Sequence, residues 1–216
     1  MELNELDAVI KGRYSVRSWQ EKDVPEELLL QAIELATWAP NGGNQQNWRF
    51  YLIMNKDTIE AIADAVQARA DKMASWPDAD NILGANRVRS RAGFFRGAPA
   101  AIAVASSQYQ SPVDKLLEAS EGKDTEAGII RQWRNTADSR IQSVSAAIAY
   151  LLLVLHQMGI GSLWMTGPMQ AKEDIEKILK VPAAFDIIAF IPVGYAESGP
   201  GDRTRRPLQE VCEVVR

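Results

Sequence analysis

Two short stretches of this chain concentrate residue types that could hold a ligand. The first is Arg13-Tyr14-Ser15-Val16-Arg17. In an extended chain Arg13, Ser15 and Arg17 point the same way. Two guanidiniums and a hydroxyl on one side suit a cluster of anionic oxygens such as a phosphate. They equally suit a solvated edge segment. The second stretch is Trp38-Ala39-Pro40-Asn41-Gly42-Gly43-Asn44-Gln45-Gln46-Asn47-Trp48. Paired glycines let the backbone turn sharply and come close to a ligand. Asn and Gln offer donors and acceptors without a charge to titrate. Such a loop can read a planar heteroaromatic ring with mixed polar edges. The same residues also make an ordinary helix-to-strand turn.

What the chain lacks narrows the chemistry. It has no phosphate-binding P-loop, no glycine-rich dinucleotide fingerprint and no zinc-protease histidine pair. The one histidine, His156, falls near the end of an apolar helix. There its cation would complement the helix dipole, or its ring would simply pack. Neither placement suits a hydrolase triad. The one cysteine, Cys212, lies in a tail segment beside no histidine, which argues against a cysteine nucleophile. An enzyme with polar glycine loops and scattered arginines, but no acid–base kit, points to a bound cofactor that the protein orients and tunes.

The elements that must position these residues follow from the hydrophobic pattern. Residues 3–10 have helical spacing, and Gly12 can end that helix. Pro25 with Glu26 and Glu27 starts a second helix, which leads into the glycine loop. Residues 49–54 alternate as a strand. Residues 58–73 are helical, and Trp76-Pro77-Asp78 breaks them. A further helix is predicted over 81–95, with Arg87, Arg89, Arg91 and Arg96 clustered. Residues 100–105 form a buried strand. Residues 108–135 form an excursion with short helices, of the kind that shapes substrate access, and Tyr109 and Trp133 are candidate pocket walls. Residues 139–158 form the longest helix. It is apolar nearly all round from 146 to 155, as expected of a helix buried in a core or a subunit interface. A strand-like piece at 162–166, a helix at 172–179 and a buried strand at 187–194 complete the pattern. Residues 211–215 could add a strand. Helices and strands interleave without a linker, which gives one α+β domain over 1–216 with the excursion at about 107–138.

The totals are those of a globular protein: 216 residues, 46% hydrophobic and 24% charged. A formal net charge of −4 disfavours a general nucleic-acid partner. One cysteine excludes an internal disulfide framework and fits a reducing compartment. The first ten residues carry three acids and no signal-like pattern. The apolar run 146–155 is too short to span a bilayer. A cytoplasmic protein with no membrane partner is the expectation.

Taken in order, Arg13 to Arg17, Val24-Pro25 and Ala39 to Phe50 resemble the FMN-dependent nitroreductase family. So do the long helix ending at Gly161, the Ile191-Pro192-Val193-Gly194-Tyr195 strand, and Arg203 and Arg205 before Pro207. The resemblance spans nearly the whole chain. It implies a nitroreductase-like fold: a central, mainly antiparallel sheet flanked by helices, in an intertwined homodimer with two FMN sites at the subunit interface. It assigns the cofactor-binding role to Arg13, Tyr14, Ser15, Arg17, Arg203 and Arg205 at the phosphate, ribityl chain and ring edge. Pro40, Asn41, Gly42 and Asn44 would come from the other subunit and cover the ring. Trp164, Met165, Thr166 and Gly167 would lie over the opposite face. Catalytic roles would fall to the Thr166 backbone N–H, facing flavin N5, and to Arg17, whose charge at the ring edge favours the anionic reduced flavin. No metal is implied.

The implied activity is an NAD(P)H oxidoreductase that reduces nitroaromatic or quinone-type acceptors by a ping-pong mechanism. Reductive dehalogenation, flavin fragmentation and a non-catalytic FMN-binding role are the alternatives. This chain departs from the family at Pro40-Asn41-Gly42, where many members have Pro-Ser-Ser or Pro-Ser-Gly, and at Asn47, where many have proline. Thr166 stands where some relatives have Glu. Arg91 and Arg96 are candidates for the family's mid-chain FMN ligand.

Overall fold

The computed structural model describes residues 2–84, 92–108 and 110–216. Arg87, Arg89, Arg91 and Tyr109, which the sequence singled out, lie outside the described residues. The elements run α1 (Leu3–Gly12), α2 (Glu26–Ala36), β1 (Trp48–Ile53), α3 (Lys56–Ala74), α4 (Ala79–Leu83), β2 (Ala100–Ser107), α5 (Pro112–Ser120), α6 (Thr125–Ala137), α7 (Ser139–Gln157), β3 (Gly161–Ser162), α8 (Lys172–Ile178) and β4 (Phe185–Gly194).

The four strands form one sheet in the order β1-β2-β4-β3, and every pair is antiparallel. The fold is thus α+β with an antiparallel sheet, as expected. The sheet is covered on both faces. On one side Ala101, Ala103 and Ala105 of β2 meet Ile59, Ile62 and Val66 of α3 and Ile175 of α8. On the other, Ala100, Ile102 and Val104 meet Leu29 of α2 and Val144, Ile148 and Leu151 of α7. That is why β2 is an unbroken apolar run rather than an alternating one: neither face meets water. The register of β2 and β4 shifts between Val104 and Ala105, so one extra residue of β4 is accommodated. Ile187 and Phe190, three apart, consequently join the same core.

Local chemistry explains the helix boundaries. Asn55 caps α3 by accepting from the Thr58 N–H at 2.8 Å. Ser111 and Asp114 form a reciprocal capping box at the start of α5, where Pro112 takes the first turn. Asp138 sits in the left-handed region (φ 41) and accepts from the Ile141 N–H at 3.0 Å. The stretch Thr125–Gln157 has the length and hydropathy of a membrane span. Yet Asp138 breaks it into α6 and α7, and the apolar face of α7 packs on the sheet.

Several expectations need adjusting. Within the helix expected over 81–95, the described residues contain the end of α4 and a single 3-10 turn, Phe94–Gly97. The strand-like piece at 162–166 pairs as a strand only at Gly161–Ser162, although Met165 still bridges to Phe190. Residues 211–215 are exposed and form no strand in this chain. Within this chain helix α7 buries only part of its surface. Val144, Ala147, Ile148, Leu151, Leu152 and Leu155 are buried, but Ala149 and Tyr150 are exposed.

The excursion is the pair α5 and α6, joined by a turn at Gly122 (φ 80). Arg134 holds it together through Asp114 at 2.6 Å and Ser111 at 3.1 Å. These bonds keep the Asp114 carboxyl well below the usual carboxylate range. Trp133, a candidate pocket wall, is 68% exposed.

Candidate functional site

The first site segment is extended, as its alternation predicted. Val16 and Trp19 are buried, while Arg13 and Ser15 are half-buried and Arg17 is exposed. It is held against two other segments. The Val16 N–H donates to the Ser162 carbonyl at 3.1 Å, and Ser15 bridges Ser162 in parallel fashion. The Gln20 N–H donates to the Tyr195 carbonyl at 2.9 Å. This approach is close enough to require glycine. A Cβ on Gly161 would meet Val16 Cγ2 at 2.6 Å, and one on Gly194 would meet Pro99 Cδ at 2.6 Å.

The C-terminal arginines reach the same place. Arg203 Nη1 donates to the Arg13 carbonyl at 2.5 Å, and its guanidinium lies 5.9 Å from the Tyr14 ring centre. The Tyr14 hydroxyl in turn donates to the Ser198 carbonyl at 2.9 Å. Burial, followed by repulsion from Arg203 and Arg205, lowers the Arg13 pKa. Among the described residues, no carboxylate pairs with Arg13, Arg203 or Arg205. Cations brought together without a counter-ion repel one another, so the cluster is suited to an anion.

Sequence reasoning missed one member of this neighbourhood. His156 lines a cavity of about 160 Å³ with Arg13, Tyr14, Val16, Gly159 to Ser162 and Ala196. A Cβ on Gly12 would lie 2.7 Å from His156 Nε2, so glycine there makes room for the ring. Burial first, then Arg13 and Arg203, lowers the His156 pKa. Of the two expected roles, a packed ring fits this half-buried place beside the arginines, whereas the lowered pKa runs against a cationic helix partner. No local signal marks this, because it depends on how α1 crosses α7.

Beyond the arginines the chain runs to the 164–167 segment. The Met165 N–H donates to the Phe190 carbonyl at 3.0 Å and fixes the backbone there. The next amide, on exposed Thr166, donates to no protein acceptor among the described residues. Trp164 and Gly167 are also exposed. Thr166 thus presents an oriented N–H at the surface, next to a backbone held by Met165 and Phe190. Arg96, by contrast, is engaged elsewhere. It pairs with Glu60, and with Asp64 at 3.2 Å, both on α3.

The glycine loop lies apart from these groups. Its Gly42 N–H donates to Ser143 Oγ at 3.2 Å, near the start of α7. His156 lies near the end of the same helix, which at 1.5 Å per residue is about 20 Å away. Asn41 accepts from the Gln46 N–H at 2.9 Å and donates to the Ala39 carbonyl at 3.2 Å. Its amide therefore staples the loop. Gly43 (φ 59), Asn44 (φ 52) and Gln46 (φ 47) are all left-handed. For two non-glycine residues this is stored strain, which tends to gather at ligand sites. Pro40 and Asn44 are exposed. Among the described residues, no group of three His, Cys, Asp or Glu side chains could hold a metal ion.

Fold and site together define a class: an α+β protein with a cationic corner, an oriented surface amide and a strained polar loop. The Nitroreductase family model matches residues 10–195, and the chain belongs to that family. It is 26% identical over 210 residues to the iodotyrosine deiodinase of Thermotoga neapolitana, covering 93% of this chain and 92% of that protein. The structure of a BluB-like flavoprotein from Clostridium difficile 630 is similar over the full length of both chains, with a TM-score of 0.85 and 27% identity. A nitroreductase with bound FMN from Desulfitobacterium hafniense DCB-2 shares the fold with a TM-score of 0.72 and 22% identity, again over both full chains.

Proposed function

We propose that this protein is an FMN-dependent oxidoreductase that takes electrons from NAD(P)H and delivers them to an aromatic acceptor of the nitro or quinone type. The observation that carries the reading is the cluster of Arg13, Arg203 and Arg205, which has no carboxylate partner among the described residues. It offers the donors that a phosphate ester needs. Arg13 and Arg203 would hold that phosphate, Tyr14 supports Arg203 from beneath, and Ser15 offers a hydroxyl beside it. The Thr166 N–H would meet the ring, and exposed Arg17 would lie at its edge. FMN, when bound, would supply the redox chemistry that the side chains lack. The donor and the acceptor would use one slot in turn, which is a ping-pong cycle.

The same reading includes a homodimer. The exposed side of α7 carries Ala149 and Tyr150, flanked by half-buried Ala146, Leu153 and Val154. The tail carries exposed Leu208, Val211, Val214 and Val215. Two antiparallel copies of α7 would bring the Ser143 end of one beside the His156 end of the other. The glycine loop, with Pro40, Asn41, Gly42 and Asn44, would then close over the partner's flavin.

A second reading is supported by the BluB-like neighbour and by 25% identity over 207 residues to the 5,6-dimethylbenzimidazole synthase of Rhodospirillum rubrum. In that reading the protein consumes reduced flavin rather than an external acceptor. One experiment separates the two. The FMN-loaded protein is bleached with NAD(P)H without oxygen, then given a nitroaromatic or given air. The first reading expects the yellow spectrum to return on adding the nitroaromatic, turn after turn. A benzimidazole formed on adding air, with no nitroaromatic turnover, would replace it by the second. A protein that stays colourless with FMN would sink both.

A further inference from the structure

We propose that His156 is the proton-accepting member of the phosphate-binding corner, so that a phosphate ester seated on Arg13, Arg203 and Arg205 binds together with one proton. The inference rests on the flavin reading above and deepens it. Three observations lead to it. His156 shares a cavity with Arg13 and Tyr14. Its Nε2 packs over Gly12, whose carbonyl accepts from Arg203 at 3.4 Å. Among the described residues, neither ring nitrogen has a hydrogen-bond partner.

The charged and titratable groups around the ring are few. Arg13 and Tyr14 face it from the first site segment, and Arg203 approaches from the tail with Arg205 nearby. From α1, Glu5 lines the open side of the ring, but its carboxylate is bonded to the Glu2 amide at 2.8 Å. The balance is cationic, which agrees with the lowered pKa. A phosphate carrying close to two negative charges reverses that balance. Repulsion on the imidazolium is then offset by the anion, and the ring takes up a proton. Its pKa should rise by about one pH unit or more. By linkage, FMN should bind about tenfold more tightly below this window than above it, after allowing for the titration of the phosphate itself.

The chain has one histidine, so its imidazole proton resonances need no assignment if the protein is made without a histidine tag. The experiment titrates His156 by proton NMR in the free protein, with FMN and with riboflavin, which lacks the phosphate. The FMN dissociation constant is measured alongside, from flavin fluorescence between pH 5.5 and 8.5, for wild type and His156→Gln. The proposal expects the His156 pKa to rise with FMN and not with riboflavin. It also expects the wild-type pH dependence to exceed that of H156Q by about tenfold. FMN that binds without moving the His156 titration overturns the proposal and leaves the flavin reading standing. If neither flavin binds, the flavin reading falls and takes the proposal with it.

Discussion

At the scale of single residues, the site is a set of unmet demands. Arg13 is half-buried and repelled by two other arginines. Thr166 holds an amide toward solvent beside a backbone pinned by Met165 and Phe190. A phosphate contact through a guanidinium is charge-assisted and contributes about 1.5–3 kcal/mol. Arg13→Ala should therefore weaken FMN binding by about 10- to 100-fold and leave riboflavin binding nearly unchanged. Fluorescence titration with both flavins checks this. Equal losses for the two would mean that Arg13 acts on the ring or on the fold, not on the phosphate.

At the scale of elements, precision comes from close packing around the first site segment. That segment has no ladder of its own. It is clamped by single bridges to Ser162 and Ala196, with β3 and the end of β4 behind it. The clamp depends on Gly194, where a Cβ would meet Pro99 Cδ at 2.6 Å and Trp19 Cδ1 at 2.8 Å. Neither the proline ring nor the indole stacked on Phe94 can give way easily. Gly194→Ala should cost about 1–3 kcal/mol, read as a lower melting temperature, with FMN affinity falling as Arg13 is displaced. Gly97→Ala is the control, since a Cβ there meets nothing within 4 Å. Equal melting temperatures for the two variants would show that the clamp is looser than its geometry.

At the scale of the whole molecule, α7 separates the two halves of the candidate site. The glycine loop is tied to Ser143, and the cationic corner surrounds His156. If each flavin takes one half from each protomer, two different defects should complement each other. Arg13→Ala disables the corner. Gly43→Val disables the loop, since a β-branched residue cannot easily adopt φ 59. Co-expressed in equal amounts, the two variants should recover roughly a quarter of the wild-type number of active sites, all in mixed dimers with one intact site. Recovery of none, with mixed dimers present, would place both halves in one chain.

The sequence by itself determined a good deal. Its hydrophobic periods located most of the helices and the buried strands, because burial must follow the pitch of a helix or the pleat of a strand. The alternation of Arg13, Ser15 and Arg17 foretold an extended segment, and paired glycines foretold a tight polar loop. Two things were decided only by the tertiary structure. His156 became part of the arginine corner because α1 crosses α7 at Gly12, a contact between residues far apart in sequence. Arg96 was drawn to Glu60 and Asp64, because α3 lies alongside it. Local patterns encode local geometry, whereas a pKa, a counter-ion or a shared cavity depends on which distant elements meet.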